Sequence, residues 1–258
     1  MPGSGYRIPE NRTCDEVNRR SDMDNYTKKL ERFEEHFDTR YREKKILNLF
    51  VCAMIIVMCV FALLYMAHID REGLLMLRWM TVDGTLFTLI TTLFCFVINI
   101  VEINRNTELT RRAVYFTRLS SAVAESVIII VVLVTQLPVF PEHMHVARPD
   151  MFFMHIAIPL LVITSFTSND SPIGKLSIRE TFYGTSFVTV YAVTSVILIG
   201  TGVIKREYIP YAFLDVRSMQ TSAIIVTVAV FYLLAYALSS RLSKMNRKLY
   251  WHWFRLEG

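Results

Sequence analysis

The sequence predicts an all-α fold, a polytopic membrane bundle of six transmembrane helices with both termini cytoplasmic. Three observations predict it. The composition is 53% apolar over 258 residues with a mean hydropathy of +0.35, high for an ordinary soluble domain. Six apolar runs (46–67, 81–103, 119–139, 151–167, 182–204 and 218–238) are each about long enough to cross a hydrocarbon core of about 30 Å. The basic residues are uneven: with the N-terminus inside, residues 1–45, 104–118, 168–181 and 239–258 hold 22 of the 28 Lys and Arg, the bias that orients membrane proteins.

Taken in order, residues 1–21 are polar, have no apolar core of a signal peptide and read as a disordered cytoplasmic tail. Residues 22–45 carry Tyr26, Leu30, Phe33, Phe37 and Tyr41 on one helical face amid charge, the pattern of an amphipathic helix lying on the inner leaflet. Residues 46–240 form the six-span membrane domain, and 241–258 a basic, aromatic cytoplasmic tail. A soluble helical core would need polar stripes on most helices, and "SVIIIVVLV" has none. The net charge of +5 then reads as attachment to anionic lipid, with no nucleic-acid partner. The cysteines, Cys14, Cys52, Cys59 and Cys95, lie in the tail or inside membrane runs and suggest neither a disulfide framework nor a zinc site. The runs show no internal repeat and no paired broken helices, which counts against a secondary transporter.

The second run opens with "TVDGTLFT". Thr81, Thr85, Thr88, Thr92, Cys95, Asn99 and Glu102 follow at alternating spacings of four and three, one continuous stripe on a helix. In lipid such a stripe turns inward, to line a seam or to pack closely against a neighbouring helix. Asp83 lies off it, close to the water interface, where it pairs with Arg78 or meets solvent unless it serves a site. His155, in "DMFFMHIAIPLL", is the one histidine inside an apolar run, and an ionisable residue there is a functional candidate. Pro159 follows four residues later and removes the amide that would bond the His155 carbonyl, so the helix is expected to kink. Under the charge-derived orientation, Thr81 and His155 stand at similar depth near the outer ends of spans two and four.

Glu125 shares a face with Arg118 and Ser121, which predicts an intramembrane salt bridge. His143 and His145 form an HxH in an outside loop without acidic or cysteine partners at metal spacing. No GxSxG, HExxH, Walker or GxGxxG pattern occurs, so serine hydrolases, zinc proteases and nucleotide enzymes are unsupported. No metal or cofactor is implied.

"LRWMT" before span two, "MFFMHIAIPLL" in span four and "YIPYAFLDV" before span six together resemble the androgen-induced and androgen-dependent TFPI-regulating proteins and their bacterial relatives. The resemblance covers roughly residues 46–240. It implies a six-span intramembrane hydrolase of fatty-acid esters, with Thr81 as nucleophile and His155 as its partner. The third motif would set Tyr208, Pro210, Tyr211, Phe213 and Asp215 near the outer mouth. Thr85, Thr88, Tyr191, Asp215 and Arg217 are then the candidate substrate-binding residues. Oxyanion donors are open among Tyr191, Arg217 and backbone N–H groups, and Asp215 either orients His155 or caps span six. The expected partners are membrane lipids and a lipid-ester substrate, and the expected location is the cell membrane. The rival reading is a non-catalytic protein that binds or carries a lipid or small molecule along the same seam.

Overall fold

The structure, a computed structural model, describes residues 12–70, 73–105, 111–136, 148–209 and 220–254. The chain divides into two compact units, Met1–Glu43 and Lys44–Gly258. Helix α1 runs Arg12–Asp70 and so includes residues 12–21, which the sequence assigns to a tail. A 3₁₀ turn at Gly73–Arg78 leads into α2, Met80–Arg105. Helix α3, Arg111–Val131, ends in a π turn at Val132–Gln136. Helix α4 spans Pro149–Asn169 and contains a π turn at Phe153–Ala157. Helices α5 (Ile178–Tyr183) and α6 (Ser186–Gly200) precede a 3₁₀ turn at Arg206–Tyr208, and α7 runs Thr221–Phe254. No strand occurs among the described residues.

Among the described residues five helical segments are long and apolar enough to cross a membrane: Thr39–Ile69, Met80–Arg105, Arg112–Val134, Pro149–Asn169 and Ile225–Tyr250. The remaining apolar run, 182–204, is interrupted. Thr185 N–H bonds the Phe182 carbonyl at 3.0 Å instead of reaching back a full turn, and Ser239 of α7 donates its hydroxyl to the Thr181 carbonyl at 2.8 Å. A side chain thus enters the helical ladder, which breaks it. Gly184 permits that entry, since a Cβ there would collide with Ser239 and come within 3.0 Å of Leu119. Beyond the break, α6 has only 15 residues, about 22 Å at 1.5 Å per residue, short of a full hydrocarbon core.

The bundle buries polar side chains among apolar ones, and its outer faces are apolar. On α1, Lys44, Asn48, Cys52, Ile55, Cys59, Ala62 and Met66 are buried while Phe50, Val57 and Leu64 on the opposite side are 64–67% exposed. Every residue of the α2 stripe is at most 7% exposed, whereas Ile90 and Val97 across the helix are 57% and 55% exposed. Apolar faces as exposed as these fit a hydrocarbon surround. Helix α3 sits at the centre, 67% of its apolar window buried against 17% for the last segment. It packs on α2, α4, α6 and α7.

Hydrogen bonds fix the helix directions. Thr92 meets Arg118, Thr88 meets Ser121, and Gly84 faces Ile128, so α2 and α3 run antiparallel. Thr81 meets His155 at one end, while Arg118 bridges Thr92 and Ser165 about ten residues further along both helices, so α2 and α4 run parallel. At this second end Lys45 bonds Glu102 at 2.6 Å and the Lys44 ammonium reaches the Tyr250 carbonyl.

Arg118 is fully buried and spends its guanidinium on α2 and on α4 with its C-terminal cap: Nε on Asp170 Oδ2, Nη1 on Thr92 and Nη2 on Ser165, each at 3.0 Å. Asp170 also accepts from Asn48 at 3.1 Å, and its carbonyl accepts from Asn246 at 2.7 Å. The expected Arg118–Glu125 bridge is therefore not formed. Arg118 turns toward the α4 end, where Asp170 offers a carboxylate, and Glu125 accepts from Thr88 at 2.7 Å. Replacing Arg118 by Ala strands a buried carboxylate, a loss of about 3–5 kcal/mol. Thermal unfolding in detergent reads this as a large drop in midpoint for Arg118→Ala, partly restored when Asp170→Asn is added; a single variant as stable as wild type contradicts the assignment.

Candidate functional site

Thr81 is the second residue of α2, set where the 3₁₀ turn Gly73–Arg78 hands over to the helix. Val82 and Asp83 both return their N–H to the Trp79 carbonyl, at 3.0 and 3.1 Å, which fixes the first turn. Gly84 lets α3 approach, since a Cβ there would lie 2.6 Å from Ile128 Cδ1. So the glycine of "TVDG" serves close packing and keeps the Thr81 end of α2 against its neighbours.

His155 lies inside the π turn of α4. Pro159 can offer no amide, and the chain accommodates this with a widened turn immediately before it. Pro149 starts the helix, and Arg148 grips the buried carboxylate of Asp150 through two bonds of 3.1 and 2.7 Å. That fork pins the entry of α4 one turn ahead of the histidine.

The Thr81 Oγ1 and His155 Nε2 atoms are 3.3 Å apart. His155 Nδ1 lies 2.9 Å from the Met151 carbonyl. A carbonyl only accepts, so Nδ1 carries the proton, and Nε2 presents its lone pair to the threonine hydroxyl. The backbone thus selects the tautomer in which histidine can take a proton from Thr81. Both residues are nearly buried, 7% and 8% exposed. Neighbouring Thr85 donates to the Thr81 carbonyl at 2.8 Å.

Thr85 and Thr88 are sealed in the helix interface, at 0% exposure. Thr88 is bonded to Ser121 at 2.8 Å and to Glu125 at 2.7 Å, so neither threonine opens onto a void in this arrangement. Tyr191 donates its hydroxyl to the Arg78 carbonyl at 2.8 Å and so ties α6 to the approach of α2. Asp83 forms no ion pair with Arg78, whose guanidinium lies 5.3 and 5.5 Å from the ring centres of Trp79 and Tyr208. Asp215, Arg217, Pro210, Tyr211 and Phe213 lie outside the described residues, as do His143 and His145. Among the described residues no three His, Cys, Asp or Glu gather to hold a metal ion.

Sequence reasoning missed the Arg148–Asp150 fork and the Met151 carbonyl. An i, i+4 carbonyl contact leaves no mark in residue types, whereas "ARPD" before an apolar run is a readable helix start. Nitrogen NMR of the protein labelled at histidine checks the tautomer directly: His155 should show a protonated Nδ1 and a bare Nε2, and a protonated Nε2 in the neutral ring would contradict this assignment.

No family model matches the chain, and no curated protein and no solved structure matches it either.

Proposed function

We propose that the protein is an intramembrane lipid-ester hydrolase in which Thr81 attacks the ester and His155 is its base. The observation that carries this reading is the Thr81–His155 contact of 3.3 Å with the far nitrogen held on the Met151 carbonyl. A threonine hydroxyl is a weak nucleophile and requires such a partner. Two of the three motifs that resemble the androgen-induced family contain these same residues.

In the proposed reaction, Oγ1 bonds the ester carbonyl carbon as its proton passes to Nε2. The oxyanion forms beside the amino end of α2, where the helix dipole favours negative charge. The carbon–alkoxide bond then breaks, and Nε2–H returns the proton to the departing alcohol. Water enters the acyl-threonine, gives its proton to Nε2, and the acid is released as Thr81 recovers its hydrogen. The Tyr191 hydroxyl is already spent on the Arg78 carbonyl, so an oxyanion role would require it to let go.

In the same reading, the chain crosses the cell membrane six times, with α5 and α6 together as the fifth crossing and both termini cytoplasmic. The basic residues of 1–45 and 239–258 support this orientation. Thr81 and His155 then stand near the outer leaflet. The rival reading, non-catalytic lipid binding, draws on an apolar groove elsewhere on α2.

Hydrolysis of p-nitrophenyl acyl esters and branched fatty-acid esters by the purified protein separates the two. Thr81→Ala and His155→Ala should each lower kcat/KM by about 10²-fold or more with folding intact. A doubly protonated imidazole accepts nothing, so the rate should fall on the acid side. An inert wild type, or variants at the wild-type rate, would overturn the hydrolase reading.

A further inference from the structure

The opposite side of α2 carries a second feature that the Thr81–His155 chemistry does not use. Asp83 is two residues from Thr81, which at 100° per residue turns it about 200° around the helix. It faces a half-open groove of about 460 Å³ between α2 and α6. The floor and walls are apolar and aromatic: Leu86, Phe87, Ile90, Phe187 and Val190. Phe87 and Phe187 stack with ring centres 4.7 Å apart, and Tyr191 closes one wall. The groove extends about 10 Å from Asp83 to Ile90 along the helix.

Asp83 is the one acid on this wall and has no hydrogen-bond or ion-pair partner among the described residues. Arg78 also borders the groove but makes no ion pair with Asp83, its guanidinium lying near the Trp79 and Tyr208 rings. A carboxylate beside hydrocarbon and without a cation is costly, so its complement is a positive charge delivered with apolar surface. Phenyl and phenol faces attract the same kind of group, because an ammonium is drawn to the negative face of a ring. An anionic head set at Asp83 would be repelled, and a neutral chain there would leave the carboxylate uncompensated.

We infer that the α2–α6 groove binds a single-chain amphiphile with an ammonium head, the head at Asp83 and the chain along Leu86, Phe87, Ile90 and Val190. The site is separate from Thr81 and His155 and stands or falls independently of the hydrolase reading.

The test uses the full chain in phosphatidylcholine nanodiscs, so that a zwitterionic lipid is always present as competitor. The probe is a C12 primary amine bearing a photoreactive diazirine, compared with the C12 alcohol and C12 carboxylate of the same design. The amine should label residues of the groove saturably, with the alcohol and carboxylate at least 10-fold weaker. Asp83→Asn, of nearly the same shape, should weaken amine labelling about 10-fold and leave the alcohol unchanged. Val190→Trp, at a position 64% exposed and so free of core packing, should fill the groove and abolish labelling. Thr81→Ala should label as wild type. Equal labelling by amine and alcohol, an Asp83→Asn variant that labels like wild type, or loss of labelling in Thr81→Ala would overturn the assignment.

Discussion

The Arg118–Asp170 ion pair is the interaction on which the bundle depends. Around it Asn48 of α1, Thr92 of α2, Arg118 of α3, Ser165 of α4 and Asn246 of α7 are joined within 3.1 Å, with Asp170 just past the end of α4. Buried charges are tolerated when they are paired and hydrogen-bonded, as Arg118 and Asp170 are here. Here five helices each contribute one polar side chain, so none can slide or rotate without orphaning a charge. Apolar contact alone specifies little in lipid, because tails are as apolar as leucine. The polar cluster supplies the register that hydrocarbon packing does not.

That register reaches the other end of the bundle. Thr92 and Ser165 meet at Arg118, and the parallel run of α2 and α4 then carries Thr81 and His155 to a common level. Two local devices finish the alignment. The π turn before Pro159 sets the rotation of His155, and the Met151 carbonyl sets its proton. Neither contact can vary alone, since the Arg148–Asp150 fork fixes where α4 begins.

Much of this was legible in the sequence, for a physical reason. The α2 stripe repeats with the helix period, and a low-dielectric surround forces such a stripe inward, so Thr81 through Glu102 are buried as their spacing requires. The equal depth of Thr81 and His155 followed from charge bias and helix rise. What the sequence left hidden was pairing across helices. Arg118 shares a face with Glu125, and nothing in one dimension says that Asp170, fifty-two residues later, takes it instead. The interruption at Gly184 was equally hidden, since the hydroxyl that enters the ladder belongs to Ser239. The stripe itself had two readings, open seam or packing contact. In this arrangement Thr85 and Thr88 pack, while apolar room lies on the other side of α2, where Asp83 looked like an interfacial residue.

If Thr81 is the nucleophile that His155 activates, as proposed, an acyl-threonine forms during turnover and can be trapped. The protein is mixed with a p-nitrophenyl acyl ester, quenched in acid within a turnover, digested and mapped by mass spectrometry. An acyl group is expected on Thr81 in the wild type and none there in His155→Ala. Ester turnover with the acyl group on another residue, or with no acyl-protein formed at all, would contradict it.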